Sequence, residues 1–574
     1  MKTLLPYLKR YTKETILAPL FKLFEVALEL LVPIIVASIV DTGIGEKNKG
    51  YIIGMCSLLA LLGAMGLALA LVAQFFAARA ATGFAAGVRR ALFEKILSLS
   101  PKDTDRLGAS ALITRLTGDV NQVQTGLNLT LRLLLRSPVV VFGAAIMAFI
   151  VDKRSSIPFF VAIPILFVAV FVIMLYGVPL FMKVQAKMEN VVNLTRENLS
   201  GVRVIRACCR EEREYADFEK VNRTHARAKT VSGTVSALLN PITFVIVNIA
   251  VIILLSNGSD RVYKGEITQG QVVALYNYMA IILTELIKFA DLVINITKSV
   301  SSAKRIGLVL NTKSSMEYGN ETVEEYDYAF ELDGVSLRYS ADSEYVLEDI
   351  SLRAEKGQRL GVIGITGSGK TSLISLIARL YDCTSGSVRV FGKDVKSFKE
   401  GELSSHIGLA GQYAELFYGT VRENIALGRG QLTDEDINTA LEISQSSEFV
   451  NKLSQGTEFL IEEKGRNLSG GQRQRLNIAR ALAGQPQILI LDSSTSALDY
   501  LTAKKLEEAL SQLPEETTVI TVSQRVNAVY SCDRIAVLDG GRIAGVDTHS
   551  ELYDKCPVYR EICLSQGFGR EGAL

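Results

Sequence analysis

Gly364-Ile365-Thr366-Gly367-Ser368-Gly369-Lys370-Thr371 has the spacing G-x-x-x-x-G-K-[ST]. An apolar stretch, Leu360–Ile363, leads into it, and a helical pattern, Ser372–Leu380, leads out. A strand entering a glycine turn that opens a helix is the context this spacing needs to grip phosphate. Glycines let the backbone turn tightly and aim amides at phosphate oxygens. The N-terminus of the following helix adds its dipole. Lys370 supplies a point charge for the β- and γ-phosphates, and the Thr371 hydroxyl a ligand for Mg²⁺.

Downstream, Gln487-Ile488-Leu489-Ile490-Leu491-Asp492 is an apolar run ending in a carboxylate. Such a run suits a central parallel strand, and Asp492 at its tip is placed to hold Mg²⁺ through water. Around these runs, short β-rich stretches (Leu332–Leu337, Arg359–Ile363, Val388–Val390) precede alternating helix and strand patterns. That alternation predicts an α/β domain from Tyr328 onward.

Between the glycine loop and the strand aspartate stands Asn467-Leu468-Ser469-Gly470-Gly471-Gln472-Arg473-Gln474-Arg475. The order of glycine loop, Gln412, Leu468–Gln472, Asp492 and Ser496-Ala497-Leu498-Asp499 resembles the ATP-binding cassette (ABC) family. With the apolar N-terminal half described below, the whole chain resembles a half-transporter of the exporter type. The resemblance implies ATP and Mg²⁺ as ligands. On the family pattern, ATP contacts come from Tyr339 (stacking on adenine), Gly364, Ile365, Thr366, Gly367, Ser368, Gly369, Lys370, Thr371, Ser372 and Gln412, and the metal contacts from Thr371, Gln412 and Asp492. Ser469, Gly470, Gly471 and Gln472 form the signature offered to a partner's ATP, and Asp499 belongs to the loop after it. Gly108–Val123 and Glu197–Arg206 resemble the two coupling regions, and Glu462, Glu463 and Gly465 the segment facing the partner's hairpins.

The chain departs from the family twice. Ser493 stands where the family places a glutamate that polarises water, and Gln524 where it places a histidine on the γ-phosphate. A hydroxyl of ordinary pKa cannot act as that base at pH 7, and such a base is worth ~10²–10⁴-fold in rate. None of the three histidines (His225, His406, His549) lies where it could replace Gln524. The resemblance implies two cassettes facing head to tail, each ATP lying between one chain's glycine loop and the other's signature. A hydrolysis-impaired site beside an intact signature therefore predicts one subunit of a heterodimer, paired with a different half-transporter chain. A homodimer with two slow sites and a nucleotide-gated channel or regulator stay open as alternatives.

The first ~300 residues differ from the rest. A spanning helix needs roughly 20 mostly apolar residues. Six stretches qualify: Ile16–Val40, Tyr51–Phe76, Leu133–Val151, Ile157–Met182, Ala237–Leu255 and Val272–Ile294. The first and last are interrupted by Lys22, Glu25, Glu29, Glu285, Lys288 and Asp291, and charges inside a span point to function by default. The charges near the start, Lys9, Arg10, Lys13 and Lys22, run into the apolar stretch, unlike a cleavable signal peptide. The second and fourth connections are long, basic and helical in pattern. Basic loops stay inside, so these segments, both termini and the α/β domain are expected in the cytoplasm, with the chain multi-pass in the cell membrane. The expected division is a membrane domain over residues 1–315, a linker over 316–327 and a nucleotide-binding domain over 328–574.

Composition agrees with this division. Apolar residues are 48% of the 574, and mean hydropathy is +0.25, high for a soluble globular chain. Lys+Arg number 62 against 60 Asp+Glu, a formal charge of +2, which excludes a nucleic-acid-coating protein built on bulk charge. Seven cysteines form no CxxC pair, so reduced thiols and no Cys/His metal cluster are expected. The substrate is not legible; an amphipathic small molecule, a lipid or a peptide all fit.

Overall fold

The structure, a computed structural model, describes residues 2–340, 342–427, 432–570 and 572–573. The chain divides into two compact units, residues 1–97 with 108–312, and residues 98–107 with 313–574.

The first unit is helical. Its long helices are Thr12–Ser38, Lys49–Leu97, Arg136–Val151, Ile157–Ser200, Glu211–Ala237, Leu239–Tyr263 and Gln269–Leu310. At ~1.5 Å per residue the 49-residue helix Lys49–Leu97 runs ~74 Å, far more than a ~30 Å hydrocarbon layer. It therefore continues beyond any membrane as a hairpin arm, as does Ile157–Ser200. Small residues permit close approach. Ala73, Ala77, Ala80, Ala81 and Ala85 recur at helical spacing on one buried face. A Cβ on Gly83 would lie 2.2 Å from Cζ of Tyr11, and one on Gly126 would lie 1.9 Å from Oγ of Ser299. The core gathers Val26, Val140, Ala144, Leu275, Met279 and Ile282 around Tyr278, whose hydroxyl donates to the Leu30 carbonyl at 2.6 Å.

Among the described residues, five helical runs are long and apolar enough to cross a membrane: Thr12–Ile44, Lys49–Leu97, Ala109–Val151, Ile157–Ser200 and Glu211–Tyr263. The sixth expected stretch, Val272–Ile294, lies inside Gln269–Leu310 and is not one of them. That helix buries Ala274, Leu275, Tyr278, Met279, Ile282, Glu285, Leu286 and Ala290 on one side and leaves Tyr276, Ala280, Thr284, Lys288 and Asp291 exposed on the other. Two of its charges, Glu285 and Lys288, are partnered. Arg136 pairs with Glu285 and, at 2.7 Å, with Glu29, while Lys288 lies 3.5 Å from Glu285. Lys22 pairs with Glu25 along the first helix. Asp41 closes the other end, its carboxylate accepting from the Thr268 hydroxyl at 2.5 Å and the Gly270 amide at 2.7 Å.

Residues 98–107, with the short helix Pro101–Leu107, group with the second unit, whereas the Gly108–Val123 stretch that resembles a coupling region stays in the first. There Asp119 is held by Arg305 at 2.8 Å. The other hairpin breaks at Gly201, continues as Val202–Ala207 and turns at Cys208 and Cys209. All seven cysteines are free thiols.

The second unit is α/β. Its six-stranded sheet has the order Arg542–Asp547, Arg534–Asp539, Arg359–Ile363, Thr518–Ser523, Ile488–Asp492, Ile407–Ala410. The inner strands are parallel, and Ile488–Asp492 is buried at every residue, as a strand covered on both faces requires. A second, antiparallel sheet runs Leu347–Glu355, Tyr328–Leu337, Ser385–Val390, Lys393–Asp394. Phe330, Ile350, Leu360, Leu376 and Ile490 are among the residues of the core beneath both.

Candidate functional site

Register builds the site. Val522 lies between Val362 on one neighbouring strand and Asp492 on the other. The three strands therefore end together, and their following residues (Gly364 onward, Ser493 and Gln524) emerge at one carboxyl edge. Crevices at that edge are where open α/β sheets hold ligands.

The glycine loop bridges strand Arg359–Ile363 and helix Lys370–Ile377. Gly367 and Gly369 take φ of +85° and +98°, a region glycine enters without strain. A Cβ on Gly364 would lie 2.2 Å from the Leu538 carbonyl oxygen. Ser368 is buried inside the loop and Ile365 stands out from it at 61% exposure. The Lys370 ammonium donates to the carbonyls of Gly364 (2.8 Å) and Ile365 (2.7 Å) and to the Ser368 hydroxyl (3.3 Å). Its three protons are thus used inside the loop, and a phosphate must replace some of these partners. Burial pulls the Lys370 pKa down, and the nearby Asp492 carboxylate works against that.

The Thr371 hydroxyl donates to Asp492 at 2.9 Å, which joins two of the expected metal-binding groups. Burial pushes the Asp492 carboxyl above its ordinary value, and bonds from Thr371 and Ser493 only partly offset it. Ser493 sits next to it at φ +51°, with its amide on the Val522 carbonyl at 2.8 Å and its hydroxyl 3.5 Å from Asp492. Gln524 reaches the glycine loop, accepting from the Thr366 hydroxyl at 3.3 Å. Tyr339 is half exposed, with its hydroxyl 2.8 Å from that of Ser372. Tyr339, Thr366, Lys370, Thr371, Ser372, Asp492, Ser493 and Gln524 thus form one constellation.

The remaining expected residues lie elsewhere in the unit. Ser469 caps helix Gly470–Leu482 and forms a reciprocal box with Gln472, its amide on the Gln472 side chain at 2.8 Å. Ser469 and Gly470 are exposed, and no acidic residue occupies the first turn. Gly471 packs near the Ala497 carbonyl, 3.2 Å from where its Cβ would be. Asp499 caps the next helix, Tyr500–Leu510, through the Thr502 amide at 3.0 Å. Gln412 is exposed, and its neighbour Gly411 accepts from Asn477 (3.0 Å) and Gln474 (3.3 Å) on the signature helix. Among the described residues no hydrogen bond links Ser469–Gln472 to the glycine loop.

The sequence reading missed three features. Gln474 and Asn477 tie Gln412's loop to the signature helix, though both are polar positions inside an amphipathic pattern, which is a readable signal. Tyr381 lies edge-on to Tyr339, ring centroids 5.1 Å apart, and donates to Asp105. Arg136 was an unremarked charge inside the third apolar stretch.

The donor set suits Mg²⁺. One hydroxyl and one carboxylate already face each other, and Mg²⁺ is usually held by one or two carboxylates, waters and substrate phosphates. Among the described residues no cluster of three His, Cys, Asp or Glu could hold a metal alone.

Comparison with known proteins gives the family. Residues 15–286 match the family described as ABC transporter transmembrane region, and residues 347–496 match that described as ABC transporter. The chain is 34% identical over 574 residues to an uncharacterized ABC transporter ATP-binding protein of Bacillus subtilis, YfiB, covering 100% of each. It is 33% identical over 570 residues to an uncharacterized ABC transporter ATP-binding protein of Mycobacterium tuberculosis, covering 98% of this chain and 97% of that protein. It is 29% identical over 567 residues to a multidrug efflux ATP-binding/permease protein of Mycobacterium bovis, covering 97% of this chain but 46% of that protein. The fold is similar to the structure of a bacterial Atm1-family ABC exporter with ATP bound, with a TM-score of 0.83 and 20% identity over 98% of this chain and 99% of that one.

Proposed function

The chain belongs to the ABC transporter family, and from that premise we propose that it is the hydrolysis-impaired half of a heterodimeric ATP-driven exporter. Residues 1–315 form its membrane domain with six spans, 316–327 the linker, and 328–574 the nucleotide-binding domain. Both termini and that domain lie in the cytoplasm. The observation that carries the reading is one constellation. Lys370, Thr371 and Asp492 are arranged to grip a magnesium triphosphate, while Ser493 and Gln524 occupy the two positions that would help to cut it.

Each residue has a task. The Gly364–Gly369 amides and Lys370 neutralise phosphate charge, with Lys370 exchanging its loop carbonyls for phosphate oxygens. Thr371 and Asp492, with Gln412, would hold the metal, Tyr339 stacks on adenine, and Ser372 steadies the loop's first helical turn. Bound Mg²⁺ supplies charge neutralisation between phosphate oxygens. Ser493 accepts no proton at pH 7, so this chain's nucleotide persists. Ser469, Gly470, Gly471 and Gln472 present a helix N-terminus to the γ-phosphate held by the partner, with the amides of Ser469 and Gln472 taken up in their own capping box. Asp499 fixes the loop beside that signature. ATP closes the pair only in proportion to its preference for the closed state. A long-lived ATP in this site lengthens closure, and hydrolysis on the partner's side resets it. The cargo is an amphipathic small molecule, lipid or peptide.

The test is purification of this chain alone and co-expressed with a second half-transporter, both in lipid nanodiscs. ATPase activity and outward transport are expected only in the pair. A self-assembled homodimer that hydrolyses ATP as fast as the pair would overturn the reading. A pair that conducts down a gradient without hydrolysis would favour a nucleotide-gated channel.

A further inference from the structure

We propose that Tyr381 is a positioning residue for Tyr339, oriented by Asp105, so that adenine binding and docking of residues 98–107 strengthen each other. The inference rests on the reading of Tyr339 as the adenine-stacking residue.

The chain of contacts lies wholly within the second unit. It begins on the short helix Pro101–Leu107, where the Asp105 carboxylate accepts from the Tyr381 hydroxyl. The Tyr381 ring meets Tyr339 edge to face, at 5.1 Å between centroids and 84° between planes. The Tyr339 hydroxyl is bonded to Ser372, two residues after Lys370. Tyr339 is thus held at its edge and its hydroxyl while 41% of it stays exposed. A flat ligand needs that combination, a fixed ring with a free surface, because an aromatic already held in place loses little freedom on stacking.

Docking of the segment has its own anchor. Asp103 is buried and accepts from the Ser100 hydroxyl (2.7 Å) and the Ser315 amide (2.8 Å). Loss of Asp105 therefore does not by itself free residues 98–107, and orientation of Tyr381 is separable from attachment of the segment. Burial first, and the Asp105 carboxylate next, raise the Tyr381 phenol above its ordinary value. It stays protonated through the physiological range and always donates. Residues 98–107 follow helix Lys49–Leu97 directly in the chain. Linkage makes the effect reciprocal, since whatever orders the segment tightens adenine binding by the same factor.

The experiment uses the full-length chain with its partner in nanodiscs. It measures affinity for ATP and for inorganic tripolyphosphate, and hydrogen exchange of residues 98–107 with and without ATP. Tyr381→Leu is expected to weaken ATP about three- to tenfold, the range for one edge-to-face pair, and to leave tripolyphosphate unchanged. Tyr381→Phe keeps the ring and its packing, so it remains readable if the leucine variant folds poorly. It is expected to abolish the ATP-dependent protection of residues 98–107, as is Asp105→Ala, whereas Asp105→Asn retains an acceptor and the protection. In a Tyr339→Leu background the Tyr381 substitutions are expected to have no further effect on ATP affinity.

Equal loss for ATP and tripolyphosphate, or full additivity with Tyr339→Leu, would overturn the inference. If Tyr339→Leu itself leaves ATP affinity intact, the adenine-stacking reading fails. If it weakens ATP while Tyr381→Leu does not, only the positioning role fails.

Discussion

Ser493→Glu, combined with Gln524→His, should restore hydrolysis to this chain's own site. A general base is worth ~10²–10⁴-fold, roughly 3–5 kcal/mol of barrier. Backbone geometry does not oppose the change. Ser493 already holds φ +51°, where any L-residue other than glycine is strained by ~1–2 kcal/mol, and glutamate bears the same strain. Its amide bond to Val522 involves main chain only and survives. The bond lost is the 3.5 Å contact with Asp492, too long to weigh much. The introduced carboxylate does meet Asp492, whose carboxyl burial already pushes up, so repulsion takes part of the gain. The single substitution is therefore expected near the low end, about 10²-fold. Gln524 already reaches Thr366 on the glycine loop, so an imidazole there comes within range of the γ-phosphate. A hydrogen bond to a charged group is worth ~1.5–3 kcal/mol, about another tenfold or more. The assay is single-turnover hydrolysis in the pair, with the partner's own site inactivated and ATP occupancy of this site checked by photolabelling. If occupancy is retained and the double variant cleaves ATP within twofold of the parent rate, the reasoning about Ser493 and Gln524 is refuted.

Gly364→Ala should lower thermal stability by ~1–3 kcal/mol and weaken ATP binding, since the added Cβ meets the Leu538 carbonyl at 2.2 Å and backbone cannot yield cheaply; melting and nucleotide titration check it. Ser469→Ala should cost about 1 kcal/mol through the lost cap and slow hydrolysis at the partner's site while leaving photolabelling of this chain's site unchanged. Asp492→Asn should abolish Mg²⁺-dependent tightening of ATP yet stabilise the nucleotide-free fold at neutral pH. Because burial raises the folded pKa of Asp492, the folded state holds its proton longer than the unfolded chain does, so this group's stabilising share is complete at acid pH and disappears as pH rises through the folded value. Melting curves from pH 4 to 8 should show the gap between variant and parent widening with pH; a constant gap would contradict the assignment.

The glycine loop and the Asp492 strand were legible because each is written in consecutive residues. A turn needs its glycines locally, and a buried parallel strand is apolar throughout. The departures at Ser493 and Gln524 were legible for the same reason, since each directly follows or nearly follows a recognisable strand end. The membrane half was legible only in outline. Hydropathy marks apolar runs, but it does not tell which face of a helix packs on protein, and Gln269–Leu310 buries one face while leaving another exposed.

What tertiary structure alone decided are the pairings between positions far apart in the chain. The Arg136 bridge between Glu29 and Glu285, the Tyr381 contact with Asp105, and the grouping of residues 98–107 rather than 108–123 with the second unit have no local pattern. Short-range sterics and periodicity determine which residues turn, coil or extend. Which side chains then meet across tens or hundreds of residues depends on how whole elements pack, and that sets the partner of every buried charge and the register that brings Gly364, Ser493 and Gln524 to one edge.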